Sequence, residues 1–200
     1  MKVLEFEQCS SEWFQARRGI PTSSEFDKII TSTGKQSTQR VKYMYRLAGE
    51  RLGGIIEEGY QSFAMLRGKE KEEEAKSLYE LIREPVQRVG FCLSDCGRFG
   101  SSTDGLLNDK GVFELKCPEI QTHIGYLLNK DEIPNDYFCQ TQGEILVTGR
   151  EYVEFMSYYP GLPPLIIREE PEPVFQKRLL KELDAFTAEL DALVDRLSNG

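Results

Sequence analysis

The chain lacks several features that would point to particular classes of protein. No stretch approaches the roughly 20 consecutive apolar residues that a membrane span needs, and the opening segment MKVLEFEQCSSEW has no apolar signal core. We therefore expect a cytoplasmic protein that works without a membrane. His123 is the only histidine. The sequence therefore gives no sign of a Ser-His-Asp or Cys-His catalytic arrangement. A lone histidine more often packs in a core or on a helix surface than binds a ligand.

The cysteines give no sign of a disulfide framework or a zinc site. Their number is odd, and no second closely spaced pair accompanies Cys92 and Cys96. We expect reduced and mostly buried thiols. With 200 residues, of which 40% are apolar, the chain is long enough to bury a substantial core. One domain spanning residues 1–200 is the expected organisation.

The charge of the chain is acidic overall but unevenly distributed. A net charge of −8 argues at first against a nucleic-acid partner. However, residues 1–55 carry a net charge of +3 and residues 56–200 carry −11. A local basic face could therefore bind phosphate, and a bound divalent cation would offset carboxylates in a site. Charge alone fits an ordinary acidic protein equally well.

Periodicity predicts a chain in which helices alternate with short strands. A short helix in SSEWFQARRG is followed by a break at residues 19–21 and by a helix that begins near Thr22-Ser23-Ser24. Further helices are predicted over 38–52, 61–82, 119–130, 134–148 and 171–200. Strands are predicted over 86–95, 151–160 and 165–170, in addition to a hairpin at 100–118. This order indicates an α/β domain with a central sheet flanked by helices.

The hairpin, GSSTDGLLNDKGVFELKCP, carries charge where a core strand should be apolar. Side chains alternate across a strand, so Glu114 and Lys116 share one face of VFELKCP, whereas Phe113 and Leu115 share the other. Pro118 ends the strand. The acid and the lysine therefore lie together on one side of a strand that is otherwise built for burial.

The turn of the hairpin decides where Asp104 lies. The tripeptide at 109–111 suits a three-residue turn whose glycine takes a positive φ. That register pairs Asn108 with Val112, which places Asp104 opposite Lys116 and on the same face as Glu114. A loop of two or four residues would move Asp104 to the other face. With three loop residues, two carboxylates and an ammonium converge.

This trio suits hydrolysis of a phosphodiester. Two carboxylates attract a hard divalent cation such as Mg²⁺, which lowers the pKa of a bound water and stabilises charge on the phosphodiester. Lys116 can orient the water and stabilise the developing anion. The alternative is a solvated strand face, because an isolated Glu-x-Lys occurs often by chance. Asp104 at hairpin spacing favours the site.

These residues carry a resemblance to a known family. STDGLLNDKGVFELKCP is similar to the nuclease motif PD-(D/E)XK, with Thr103 in place of the usual proline. The chain resembles the lambda-type phage exonucleases, the YqaJ-like viral recombinase family, in four ordered segments. These are SSEWFQARRGIPTSSEF, RGKEKEEEAKSLYE, the hairpin itself and NDYFCQTQGEILVTG. They span residues 11–149 and imply a restriction-endonuclease-like core, a central mixed sheet flanked by helices.

The resemblance assigns roles to residues of the hairpin and of the following helix. It implies that Asp104, Glu114 and the backbone carbonyl of Leu115 hold metal, and that Lys116 is the catalytic lysine. A glutamine on the next helix helps to place the lysine or the water. Gln140 matches this position, with Gln142 beside it.

Further roles fall on residues outside the hairpin. An upstream catalytic acid aligns with Glu72, although its neighbours Glu70, Glu73 and Glu74 leave the choice open, and most of this run is expected to be a solvated helix face. Residues that match the holders of the 5′-terminal phosphate are Arg17, Ser24 and Ser102, with Arg18 as the alternative arginine. Ser24 also fits a helix cap, and Ser102 also fits the end of a strand.

Trp13 lies in the first of these segments and is the only tryptophan of the chain. We expect it to pack in the core at the end of the first helix. An aromatic side chain near a DNA end could instead stack on a base. The sequence leaves both roles open.

The resemblance implies a Mg²⁺-dependent exonuclease that degrades one strand of linear double-stranded DNA from its 5′ end. Two metal ions in each site are expected, and Mn²⁺ could substitute. The product would be a 3′ single-stranded overhang for phage-type recombination in a bacterial host. The family also implies a ring-shaped homotrimer and a partner single-strand annealing protein. The alternatives are a related endonuclease and a non-catalytic DNA-binding subunit, and the intact trio argues against the second.

Overall fold

A computed structural model of the chain describes residues 1–54 and 63–199, with side chains omitted over 63–70. Its helices follow the predicted order closely. The α-helices are α1 (Ser11–Arg17), α2 (Arg40–Gly53), α3 (Phe63–Ile82), α4 (Ile120–Leu128), α5 (Asn135–Thr148) and α6 (Pro173–Ser198). Residues 61 and 62 of the predicted helix 61–82 lie outside the described residues. Within the described ranges, no helix combines the length and apolarity that a membrane crossing would require.

The strands form two sheets. They are β1 (Lys2–Leu4), β2 (Val86–Gln87), β3 (Phe91–Leu93), β4 (Gly100–Ser101), β5 (Gly105–Leu107), β6 (Gly111–Lys116), β7 (Tyr152–Ser157) and β8 (Leu165–Glu169). The larger sheet has the order β2-β5-β6-β7-β8, and the smaller has the order β1-β3-β4. Because β6 and β7 run parallel while the other neighbours run antiparallel, the larger sheet is mixed, as predicted.

The prediction of a single strand over 86–95 is wrong. The segment divides into β2, which joins the larger sheet, and β3, which joins the smaller one. Gly90 lies at the division and donates its N–H to the carbonyl of Leu4 at 3.1 Å. A Cβ at this position would lie 2.3 Å from the carbonyl oxygen of Phe6. The close approach of the N-terminal segment therefore breaks the strand and requires a glycine.

The helix predicted to begin near Thr22-Ser23-Ser24 is also different in the structure. It is a 3-10 helix, Ser23–Lys28, whose N-cap residue Thr22 makes no capping hydrogen bond through its side chain. Ser23, Phe26 and Ile29 are all buried. A 3-10 helix places residues i and i+3 on one line, so this geometry lets all three enter the core together. Ser24 is exposed and does not cap the helix.

Two apolar clusters cover the two faces of the larger sheet. The first includes Val112 of β6 and receives α2, α5 and α6. The second includes Phe113 and Leu115 of β6 and receives α3 through Ala75 and Tyr79. The alternation along β6 therefore agrees with the prediction. Helix α6 buries Phe175, Leu179, Leu183, Phe186 and Leu190, whereas Leu197 is 55% exposed beyond the edge of the core.

The remaining cysteine and histidine predictions are partly confirmed. All five cysteines are free thiols, but Cys9 and Cys96 are exposed and Cys117 is half-buried, so the prediction of mostly buried thiols is wrong. His123 is fully buried. Its ring nitrogens lie 2.8 Å from Ser157 Oγ and 3.0 Å from the carbonyl oxygen of Pro163. The histidine is a hydrogen-bonded core residue.

Candidate active site

The β5–β6 hairpin has a three-residue loop, but its position is one residue earlier than predicted. Leu107 pairs with Gly111, so the loop is 108–110. Asn108 takes the left-handed conformation, with φ of 41°, and its Oδ1 accepts a 2.7 Å hydrogen bond from the N–H of Lys110. Asparagine tolerates this conformation and stabilises such turns through its side chain. Continued by one residue, the register places Asp104 across from Glu114 rather than Lys116.

Arg150 fixes the base of this loop. Its Nη1 donates to the carbonyl oxygens of Leu107, Asn108 and Gly111 at 3.0, 2.7 and 2.9 Å. Backbone carbonyls at the base of a turn need hydrogen-bond partners, and Arg150 supplies one to each of these three. One guanidinium therefore holds both ends of the turn and fixes the relative position of the two strands that carry the charged trio.

The trio converges as the sequence predicted. The N–H of Leu115 donates to Asp104 Oδ2 at 2.8 Å. The ammonium of Lys116 donates to Glu114 Oε1 at 2.5 Å. Glu114 is only 1% exposed, and its Oε2 is buried without a hydrogen-bond partner. One buried carboxylate oxygen therefore remains available to a further ligand.

The electrostatics of the trio follow from burial and from proximity. Burial, together with the negative charge of Glu114, raises the pKa of Asp104 to about 7. Burial alone would lower the pKa of Lys116, but the charges of Glu114 and Asp104 outweigh it and raise that pKa. The lysine is thus a firmly protonated cation, while Asp104 holds its charge weakly in the absence of a further cation.

Gln140 of α5 reaches the same carboxylate. Its Nε2 donates to Glu114 Oε1 at 2.6 Å and to Glu144 Oε1 at 3.0 Å. Glu144 is fully buried, and burial next to Glu114 raises its pKa well above the ordinary value. Sequence reasoning missed Glu144. The available signal was its spacing of four residues from Gln140, which places both on one helix face.

Gln142 has a different role from Gln140. It is fully buried and donates to Glu169 Oε1 at 2.7 Å and to the carbonyl of Glu170 at 3.0 Å. Its Oε1 accepts from the N–H of Glu172 at 2.9 Å. These bonds attach α5 to the segment between β8 and α6. The two glutamines of the motif therefore face different parts of the molecule, and only Gln140 contacts the trio.

An aromatic side chain supports the lysine from the same helix. The Lys116 ammonium lies 5.1 Å from the centre of the Tyr137 ring, which packs against Phe155 with centroids 5.2 Å apart. This distance is within the range of a cation–π contact. Tyr137 therefore restricts the directions that the Lys116 side chain can take.

Helix α3 brings an acid to the other side of the site. A cleft of about 650 Å³ is lined by Asp104 together with Glu72 and Glu73. Glu73 is 57% exposed and paired with Arg88. Glu74 accepts a hydrogen bond from the Tyr158 hydroxyl, and the side chain of Glu70 lies outside the described residues. The geometry thus favours Glu72 among the four glutamates.

The residues aligned with the phosphate pocket form a cluster around Ser102. Arg17 Nη1 donates to Ser102 Oγ at 2.5 Å, and Trp13 Nε1 donates to the same oxygen at 3.0 Å. The Arg17 guanidinium stacks 4.1 Å from the Trp13 ring centre. Arg17 rather than Arg18 makes the contact with Ser102. The exposed Ser24 lies 3.4 Å from Thr22 Oγ1 and shares no hydrogen bond with Arg17 or Ser102 in the described structure.

Comparison with protein families identifies the family of the chain. Residues 12–151 match the YqaJ-like viral recombinase domain. The chain belongs to the YqaJ-like viral recombinase family. No curated protein matches the chain. The matched range contains all but the first residue of α1, the whole hairpin and α5, and so includes Arg17, Asp104, Glu114, Lys116 and Gln140.

Solved structures place this YqaJ-like chain close to two forms of one enzyme. The alkaline exonuclease LHK-Exo from Laribacter hongkongensis is 33% identical, with a TM-score of 0.84 over 95% of this chain and 97% of that one. The structure of LHK-Exo in complex with dAMP has a TM-score of 0.85 to this chain, with the same identity and coverage. A phage-related exonuclease from Haemophilus somnus 129PT shares the fold, with a TM-score of 0.67 at 14% identity over 89% of this chain and 96% of that one. The predicted family, fold and enzyme class, a nuclease that hydrolyses phosphodiester bonds, are confirmed.

The trio of the YqaJ-like chain fits a magnesium ion. Among the described residues, no three or more His, Cys, Asp or Glu side chains form a complete metal site by themselves. Mg²⁺ commonly takes only one or two carboxylates from a protein and completes its shell with water and substrate phosphate. Asp104 and Glu114 supply two such carboxylates, and Glu114 Oε2 is buried without a partner. The donor set therefore suits this hard cation.

Proposed function

We propose that this protein is a Mg²⁺-dependent 5′–3′ exonuclease that degrades one strand of linear double-stranded DNA and leaves 3′ single-stranded overhangs. One observation carries the proposal. Arg17 contacts Ser102, and Ser102 precedes Asp104 by two residues in the chain. A candidate anchor for a terminal phosphate therefore adjoins a carboxylate–lysine centre. An enzyme that cuts the bond next to a DNA end needs this combination.

Asp104, Glu114 and the carbonyl of Leu115 would hold Mg²⁺, with two ions in each site and Mn²⁺ able to substitute. When bound, the metal would polarise the phosphodiester and lower the pKa of a water nucleophile. Glu72 faces this centre from α3 across the shared cleft and would orient the water or a metal-bound ligand through hydrogen bonds.

Lys116 stabilises negative charge that develops on the phosphate. Its ammonium is fixed by Glu114 at 2.5 Å and by the ring of Tyr137, so the cation needs little reorganisation when charge appears. Gln140 holds the same carboxylate from α5. Glu114 and Gln140 thus position the lysine as well as the metal ligands.

Arg17 and Ser102 bind the 5′-terminal phosphate. A guanidinium makes parallel hydrogen bonds to phosphate oxygens, and the stacked Trp13 ring fixes the plane of the Arg17 group. Anchoring the terminal phosphate sets the next phosphodiester over the metal, so each step begins from one geometry. The relative LHK-Exo was solved with dAMP, and a nucleoside monophosphate is the expected product of this reaction.

The proposed partners follow from the family. They are double-stranded DNA ends, a single-strand annealing protein that receives the overhang, and two further copies of this chain in a ring-shaped trimer. The basic surplus of residues 1–55 lies in the part of the chain that carries Arg17, which supports a DNA-facing surface there despite the acidic total charge.

Digestion of matched DNA substrates tests the proposal. Linear duplex with 5′-phosphate, linear duplex with 5′-hydroxyl and closed circular plasmid are incubated with Mg²⁺ or with EDTA. We expect degradation of linear DNA with Mg²⁺ alone, 3′ overhangs in the products and an intact plasmid. Cleavage of the plasmid would identify an endonuclease. Binding without degradation in Mg²⁺ would identify a DNA-binding subunit.

A further inference from the structure

The packing of α3 fixes which of its side chains face the active-site cleft. Ala75 and Tyr79 are fully buried against the sheet, where the Tyr79 ring lies 4.3 Å from that of Phe113. Glu72 and Lys76 are four residues apart, so they lie one above the other on one helix face. Both line the cleft that contains Asp104. The rotation of α3 that presents Glu72 to the site therefore also presents Lys76.

Lys76 is a cation without an anionic partner in the described structure. None of the ion pairs formed by the described residues includes it. The other cation that lines the cleft, Arg88, is already engaged by both carboxylate oxygens of Glu73, at 3.0 and 2.5 Å.

The cleft needs such a cation if a polyanion is to enter it. Besides Asp104 and Glu72, its walls carry Glu5 and Glu7, and a DNA strand would be repelled by this set of carboxylates. Lys116 of β6 is not among the residues that line the cleft, and its ammonium is paired with Glu114. Of the two described cations that line the cleft, Lys76 and Arg88, only Lys76 has no ion pair among the described residues.

We propose that the Lys76 ammonium binds a non-bridging phosphate oxygen of the degraded DNA strand on the α3 side of the cleft that contains Asp104. Lys76 is then a substrate-binding residue that positions the strand, and it takes no part in proton transfer. The inference rests on the proposed function, since it assumes that a DNA strand enters this cleft.

Two variants and one control separate this role from a structural one. Lys76→Ala removes the charge, Lys76→Arg keeps it, and Lys181→Ala removes an exposed lysine from α6 in the opposite layer. Digestion of 5′-phosphorylated linear duplex gives kcat and KM over a series of KCl concentrations. Binding of the same fluorescently labelled duplex is measured with Ca²⁺ in place of Mg²⁺, and urea unfolding checks the fold.

We expect Lys76→Ala to raise KM and the dissociation constant about tenfold at moderate salt, because one charged contact to phosphate is lost. The slope of log affinity against log salt should fall by about 0.9, the value for one phosphate contact. Lys76→Arg should restore the slope, and Lys181→Ala should match the wild type. A merely structural role would leave the salt slope unchanged.

An unchanged slope for Lys76→Ala, or a fall in kcat with unchanged KM, would overturn the inference. The wild-type digestion reports separately on the proposed function. If the wild-type protein binds DNA without degrading it, the proposed exonuclease activity is ruled out. A reduced salt slope for Lys76→Ala in the binding assay would still establish the phosphate contact in that case.

Discussion

The N–H of Leu115 donates a 2.8 Å hydrogen bond to Asp104 Oδ2, and this bond attaches one candidate metal ligand to the strand that carries the other. The β6 backbone therefore helps to set the orientation of Asp104. Since Leu115 lies between Glu114 and Lys116, a displacement of β6 would move all three charged groups together. The site is built as a rigid unit at the edge of a hairpin.

Replacing either carboxylate with its amide should remove cleavage but not the fold. Asp104→Asn and Glu114→Gln each lose a charged oxygen for Mg²⁺, and we expect activity to fall by more than about 100-fold, the upper range for residues that merely support metal ligands. Stability without metal should be kept, because one of two repelling carboxylates is gone. Linear-duplex digestion and urea unfolding measure the two effects, with the exposed Glu132→Gln as control. Near-normal Mg²⁺-dependent digestion would contradict the assignment.

Lys116→Ala should stop the chemical step without weakening metal binding. The loss of a preorganised cation should reduce kcat by about 10²–10³-fold. Because Lys116 occupies Glu114 Oε1 at 2.5 Å in the metal-free protein, its removal should leave divalent-cation affinity equal or higher. Titration calorimetry with Ca²⁺ and single-turnover cleavage give the two quantities. A variant that remains active would move the catalytic role elsewhere, with Gln140 as the next residue to test.

Arg17→Ala should reduce the preference for a 5′-phosphorylated end over a 5′-hydroxyl end. Arg17 contacts Ser102 at 2.5 Å, and a charge-assisted bond to phosphate contributes about 1.5–3 kcal/mol. The ratio of kcat/KM for the two ends should therefore shrink by roughly tenfold or more. Arg18→Ala provides a control with the same change of charge at the adjacent position. If Arg18→Ala removes the preference and Arg17→Ala keeps it, the pocket is centred on Arg18.

The two glutamines of α5 should separate activity from stability. Gln142→Ala leaves several buried partners between α5 and α6 without hydrogen bonds, so the free energy of unfolding should fall by about 2–4 kcal/mol. Gln140 contacts the trio through Glu114, so Gln140→Ala should reduce cleavage while lowering the free energy of unfolding by less than Gln142→Ala does. Urea midpoints and cleavage rates of both variants provide the comparison. Equal losses of stability would show that Gln140 is also a structural residue.

The buried Glu144 should make the metal-free protein less stable as pH rises. Burial beside Glu114 raises its folded pKa, so the unfolded state ionises first and stability is lost between the ordinary carboxyl pKa and the raised folded one. Glu144→Gln cannot ionise and should gain stability relative to wild type from pH 5 to pH 8. Urea unfolding in EDTA at both pH values measures this gain, and Glu132→Gln should show none. A difference between the proteins that stays constant with pH would rule out ionisation of Glu144.

The sequence by itself determined which residues share each face of β6. Alternation along VFELKCP placed Glu114 and Lys116 together, because side chains alternate strictly in a strand. An odd number of loop residues kept Asp104 on their face even though the turn lay one residue earlier than predicted. The motif also identified the family, since four ordered segments constrain one another more strongly than any one of them.

Only the tertiary structure decided which neighbouring residues enter the site. Gln140 and Gln142 lie about 200° apart around α5, and the packing of the helix between the sheet and α6 selects Gln140. On α3, the burial of Ala75 and Tyr79 fixes the rotation of the helix, so that Glu72 and Lys76 line the cleft that contains Asp104. The strand break at Gly90 and the burial of Glu144 likewise depend on segments distant in the chain, because contacts between remote residues leave no periodic pattern in the sequence.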